Sequence, residues 1–149
     1  MIRKAETGDL AVLGKLACKL WPEHSAEEMG AELAEGIEMP DGAFFLAFAG
    51  ETAVGFAQCQ LRRDYVEGTE SSPVGYLEGI YVAEGFRRQG IAGALLAACE
   101  GWARKKGCRE FASDCELDNE ESLRFHRHMG FEEANRIICF AKKLQGGKP

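Results

Sequence analysis

The chain has 149 residues, 46% hydrophobic and 28% charged, with 18 basic and 24 acidic side chains and a net charge of −6. This is the length of one domain, residues 1–149, with enough apolar content for a buried core. It excludes a disordered tail, a collagen-like repeat and a disulfide miniprotein. The acidic balance argues against nucleic acid and anionic membrane as partners and mildly favours cationic ligands. No apolar run approaches the roughly 20 residues of a membrane span. The basic start Met1-Ile2-Arg3-Lys4 lacks the apolar stretch of a signal peptide, so the expected location is cytoplasmic.

In chain order, residues 2–5 read as a short first strand. Thr7 is placed to N-cap a helix with Asp9 in its first turn, and Leu10, Leu13, Leu16, Ala17 and Leu20 form its apolar stripe. Trp21-Pro22 ends it, because the residue before proline avoids the α region. Ser25 followed by Glu28 is a capping-box pattern opening a second helix, with Met29, Leu33 and Ile37 inward, stopped by Pro40-Asp41-Gly42. Residues 43–49 and 53–62 read as a hairpin around Gly50-Glu51, and 64–75 as a long polar loop. A strand at 76–82 leads through a basic turn to a helix at 91–106, striped by Ile91, Leu95, Cys99 and Trp102 and capped by Gly107. A strand at 109–115, a helix at 119–128 capped by Gly130, and a closing strand at 136–143 follow, with 145–149 as a frayed tail.

Cys18, Cys59, Cys99, Cys108, Cys115 and Cys139 show no C-x-x-C spacing, so no metal site is expected and the thiols read as reduced and mostly buried. Cys108 and Cys115 flank a strand without a recognisable histidine partner, which argues against a cysteine acyl-enzyme. His24 and His128 read as solvated.

The most informative stretch is the strand, turn and helix of residues 76–96. A helix N-terminus presents unpaired N–H groups and a partial positive charge, which together make an anion site. Gly90, with small Ala92 and Gly93 behind it, admits phosphates to the backbone, and Arg87 and Arg88 add charge. No lysine follows as a nucleoside-triphosphate loop requires, and the dinucleotide glycine fingerprint is absent. A plain helix start with solvated arginines is the competing reading.

Arg87-Arg88-Gln89-Gly90-Ile91-Ala92 fits the R/Q-x-x-G-x-G/A signature and resembles the GNAT family of acetyl-CoA-dependent amine acetyltransferases. Asn119-x-x-Ser122, Phe125-His126 and Met129-Gly130-Phe131 resemble that family's next landmark, and the element order matches from Ile2 to Leu144. The resemblance implies an α+β fold, a mixed twisted β-sheet flanked by helices on both faces. It implies acetyl-CoA as co-substrate, with the diphosphate on the backbone of Arg88 through Ala94 (Gly93 included), Arg87 adding charge beside it, and the pantetheine arm along Ile80, Tyr81 and Val82. His126 stands where many members carry a tyrosine thought to reprotonate the CoA thiolate; proton donation, CoA contact and packing all stay open for it.

An amine acceptor arrives as an ammonium and must lose a proton before it attacks a thioester, a task for a carboxylate. Glu78 lies inside the otherwise uncharged 76–82 segment, where a charge faces a ligand or a structural ion pair. Asp114 ends the next strand and either reaches the same cleft or meets a turn.

Five segments resemble one subgroup, the aminoglycoside 6'-N-acetyltransferases. They are Leu20-Trp21-Pro22-Glu23-His24; Asp64-Tyr65-Val66 with Ser71-Ser72-Pro73; Leu77-Glu78-Gly79-Ile80; Lys106-Gly107-Cys108-Arg109-Glu110 with Ala112-Ser113-Asp114; and Gly130-Phe131-Glu132-Glu133. This implies acetylation of the 6'-amine of a polycationic aminoglycoside antibiotic, hence resistance, and a homodimer. It gives Trp21 and Tyr65 to the acceptor walls, Glu78 and Asp114 to the ammonium groups and Asn119 to the CoA arm. Asn135 stands where an acid would equally fit the subgroup. The glutamates of 25–38 and 64–75 steer a cation inward or simply form a solvated face. An acetyltransferase for a polyamine, amino acid or protein N-terminus, and a non-catalytic CoA-binding module, are the alternatives.

Overall fold

A computed structural model of the protein describes residues 1–146; the expected tail falls partly outside the described residues. The elements are β1 (Ile2–Lys4), α1 (Leu10–Leu20), α2 (Ala26–Gly36), β2 (Gly42–Ala49), β3 (Thr52–Arg62), β4 (Val74–Val82), α3 (Ile91–Lys105), β5 (Phe111–Ser113) and α4 (Glu120–His128). The five strands form one sheet in chain order, antiparallel from β1 to β4 and parallel between β4 and β5. Parallel neighbours need a crossover, and α3 supplies it.

Alternation along the strands separates two cores. Leu13, Leu16 and Ala17 of α1 and Met29 and Leu33 of α2 bury Phe44, Leu46 and Phe56 on one face. Leu95, Leu96, Cys99 and Trp102 of α3 cover Ala43, Val54, Ala57 and Leu77 on the other, with Phe125, Met129 and Phe131 at the margin. Each fully buried Leu or Phe contributes about 1.5–3 kcal/mol, so these stripes fix how the helices sit on the sheet. The mixed sheet flanked by helices is thus the expected architecture.

Ser25 accepts the Glu28 N–H at 3.1 Å, the cap expected for α2. The start of α1 differs from expectation. Thr7 opens a single 3-10 turn and donates to Glu38, while Asp9 accepts the Glu6 N–H and pairs with Arg3 at 2.7 Å. The Arg3 guanidinium and the Glu6 amide hold the Asp9 carboxyl down at about 2. Cys59, Cys99 and Cys108 are buried but Cys115 and Cys139 are exposed, so burial of the thiols is only partial. Among the described residues no helix is long and apolar enough to cross a membrane.

Two strand expectations need correction. β5 spans only Phe111–Ser113, because its pairing with β4 stops at Leu77 opposite Ser113. The closing strand at 136–143 is absent: Ile137, Ile138 and Phe140 are 68%, 80% and 90% exposed. An apolar run becomes a strand only beside an open edge, and no strand of this sheet lies alongside it.

Candidate active site

The site begins with a register change. Cys59 faces Leu77 and Gln58 faces Gly79, which leaves Glu78 as the extra residue of a bulge in β4. Such bulges bend a strand and re-aim side chains. Beyond Leu77, β4 also loses β5 as a neighbour, so its outer edge from Glu78 to Val82 lies open. Alternate residues face that edge, so Ile80 and Val82 offer main-chain groups to an extended ligand arm, as in the addition of a strand, while those of Tyr81 face β3.

The chain then turns into α3. Arg87 Nε donates to the Val82 carbonyl at 2.8 Å and its guanidinium lies 5.7 Å from the Tyr81 ring, so Arg87 ties the turn to β4. Arg88 and Gly90 adopt left-handed backbone, φ +65° and +82°. The side chains of Arg88 and Gln89 are exposed beside the helix mouth. Ala94 N–H closes the first helical bond, to the Gly90 carbonyl at 3.0 Å. The N–H groups of Ile91, Ala92 and Gly93 consequently emerge unpaired from the positive end of a 15-residue helix. This end suits a diphosphate. The Ala94 amide is the first of the helix to be held by an intrahelical bond.

The acceptor side is built from side chains. Glu78 Oε2 accepts from Gln60 at 2.6 Å and from Arg62 Nε and Nη2 at 3.2 and 3.0 Å, while Oε1 accepts from Arg62 Nη2 at 3.0 Å. The Arg62 guanidinium also lies 3.5 Å from the Tyr76 ring centroid, and the Tyr76 hydroxyl donates to Asp114. Burial and the Asp114 carboxylate push the Tyr76 phenol well above its usual range, so it keeps that proton. Glu78 and Asp114 are thereby joined through Arg62 and Tyr76.

Glu78 lines a cavity of about 220 Å³ with Gln58, Gln60 and Phe44 as floor, Trp21 and His24 on one side, and Met29, Glu32 and Leu33 of α2 on the other. Trp21 stands edge-on to Phe56 at 5.9 Å. It packs so closely on Gly79 that a Cβ there would come within 2.5 Å of Cζ2. Gly79→Ala is expected to displace the indole, lowering Tm by roughly 2–8 °C and shifting tryptophan emission. A thermal melt with fluorescence checks this.

His126 lies at the root of the β4–β5 opening. Its Nδ1–H donates to the Ser122 carbonyl at 2.7 Å, which leaves Nε2 to accept from Ser113 Oγ at 2.7 Å. Asn119 caps α4 by accepting the Ser122 N–H at 3.1 Å. Tyr65 is not brought to the cavity: it is 77% exposed and donates to Glu67. Asn135 donates to Glu67 at 2.9 Å. His24 borders the cavity with its side chain 38% exposed. Arg62, Gln60, Tyr76 and Ser113 escaped the sequence reading. The signal for two of them was the alternation Gln58, Gln60, Arg62, a polar continuation of the face that begins at buried Phe56.

Residues 10–131 match the model of the Acetyltransferase (GNAT) family. The chain belongs to the GNAT family. An aminoglycoside N(6')-acetyltransferase type 1 of Stenotrophomonas maltophilia is 46% identical to this GNAT chain over 146 residues, 97% of this chain and 94% of that protein. One from Serratia marcescens is 45% identical over 130 residues, 87% and 89% of the two chains. Among solved structures, AAC(6')-Iy in complex with the bisubstrate analog CoA-S-monomethyl-acetylneamine is similar at a TM-score of 0.93 and 40% identity, covering 97% of this chain and 98% of that one. In this GNAT chain, the open β4 edge runs from the Glu78 bulge toward the turn that leads to the free amides of α3.

Proposed function

We propose that this chain transfers the acetyl group of acetyl-CoA to the 6'-amine of an aminoglycoside antibiotic and so confers resistance to it. The observation that carries the reading is Glu78: one bulge aims its carboxylate into a Trp21-walled cavity at the point where β4 opens its edge to an extended arm. The aminoglycoside-acetylating relatives support the substrate class. An amino sugar combines ammonium groups with apolar ring faces, which a carboxylate and an indole complement.

Acetyl-CoA supplies the activated thioester. The fit of this chain to it rests on the three free amides of α3, the left-handed turn before them and the unpaired β4 edge. Glu78 Oε2 already accepts three contacts, so Oε1 keeps the room to receive an ammonium. Asp114 provides a second acceptor beyond Tyr76. The amine's proton leaves to one of these carboxylates, directly or through water. At the other end of the cleft, the departing thiolate takes a proton from water or from a His126 that has first gained one on Nε2, the nitrogen facing the Ser113 hydroxyl. Incubating the protein with acetyl-CoA and kanamycin should release free thiol, with the acetyl group on the 6'-nitrogen by NMR. No turnover with any 6'-amino aminoglycoside would sink the substrate assignment.

The reading extends to a cytoplasmic homodimer. Ile137, Ile138 and Phe140 form an exposed apolar run of the kind that marks an association surface, and 136–143 has the sequence of a strand without a partner. A second copy supplies that partner. Wild-type protein is expected to sediment as a dimer and Ile138→Lys with Phe140→Asp as a folded monomer; analytical ultracentrifugation with circular dichroism checks both.

A further inference from the structure

We infer that Glu32 on α2 is the specificity-determining carboxylate of the acceptor cavity, the residue that selects polycationic over monocationic amines. This rests on the aminoglycoside reading above and deepens it. Charge accounting around the cavity carries the inference. Glu78 is matched by the Arg62 guanidinium at 3.0 Å, so the pair adds little net charge. Glu28 lies 3.5 Å from His24, and Glu38 accepts from Thr7. Glu32 borders the cavity and has no ion-pair partner among the described residues.

Its position is dictated by the helix. Met29 and Leu33 are 2% and 3% exposed and lock the rotation of α2 against the sheet. Residue 32 lies three positions after Met29 and beside Leu33, which places it at the rim of the same face. A volume of about 220 Å³ is smaller than a pocket that encloses a whole drug-sized ligand. One ring enters beside Glu78 and Trp21, and the remaining amino rings lie across the rim, where Glu32 meets their ammonium groups. A monoamine has no such second charge to offer.

The test compares wild type with Glu32→Gln, using kanamycin and a 6-amino-6-deoxyglucoside with a single amine as acceptors, each at low and high salt. Glu32→Gln should raise KM for kanamycin about fivefold at low salt, and the difference should shrink as salt rises. The KM for the monoamine and for acetyl-CoA should hold, as should kcat, a split that a folding defect does not produce. Equal KM for kanamycin in the two proteins, or an equal rise for the monoamine, overturns the role of Glu32 alone. Failure of the wild type to acetylate kanamycin overturns the substrate reading as well.

Discussion

Glu78→Gln is expected to lower kcat/KM for an aminoglycoside by about 100-fold while leaving the melting temperature almost unchanged. The two effects separate because the side chain has two jobs of different size. As a structural partner, Glu78 pairs with an arginine that is itself 40% exposed, and such pairs contribute about 0–1 kcal/mol. Glutamine keeps the volume and one acceptor oxygen for Arg62 or Gln60, so the sheet and its bulge persist. As a site group, the carboxylate faces the cavity with the free position on Oε1, and amide nitrogen there repels an ammonium and accepts no proton. Losing a positioned proton acceptor costs roughly 10²–10⁴-fold. Steady-state kinetics with kanamycin beside a thermal melt tests both halves. Full activity in the variant would move the acceptor role to Asp114, and a collapse of the fold would make Glu78 a structural ion pair.

How far the sequence reached depends on which forces were local. Helices α1, α2 and α3 were legible because their stripes repeat at helical spacing, as with Leu95, Cys99 and Trp102, and because Ser25 and Gly107 mark their ends. The turn at Gly90 was legible because glycine adopts positive φ freely where a chain bends into a helix. Glu78 stood out as the one charge in an apolar segment. What stayed hidden was tertiary. The bulge that singles out Glu78 exists only in the register of β3 against β4. Arg62 joins Glu78 to Tyr76 across two strands, and Ser113 meets His126 from separate elements; no spacing in one sequence announces such pairs. The 136–143 run failed for the same reason in reverse: its pattern is that of a strand, but pattern says nothing about an available edge.

The two ends of the cleft use different materials, and this bears on how each is broken. The acceptor end consists of side chains, so a change there alters one contact. The helix end consists of main-chain amides whose directions depend on backbone angles, so it is broken through conformation. Arg88 and Gly90 both sit in the left-handed region, which glycine adopts freely and a β-branched residue resists.

Gly90→Val is therefore expected to weaken CoA binding about 10- to 100-fold. No atom lies within 4 Å of a Cβ built at Gly90, so the effect does not come from a clash of the Cβ. It comes from φ +82°, where a valine costs about 1–3 kcal/mol. The chain relieves that strain by rotating the turn, and the N–H groups of Ile91, Ala92 and Gly93 lose their common direction toward the diphosphate. Gly85→Ala is the matched control. It changes a glycine in the same connection that also has nothing within 4 Å but no positive φ, and it should bind CoA as wild type does. Calorimetric titration of CoA into the three proteins separates the outcomes. Equal affinity in all three would show that the amides after Gly90 do not hold the diphosphate. A loss in Gly90→Val alone, with secondary structure intact by circular dichroism, locates the cofactor grip in the backbone of this one turn.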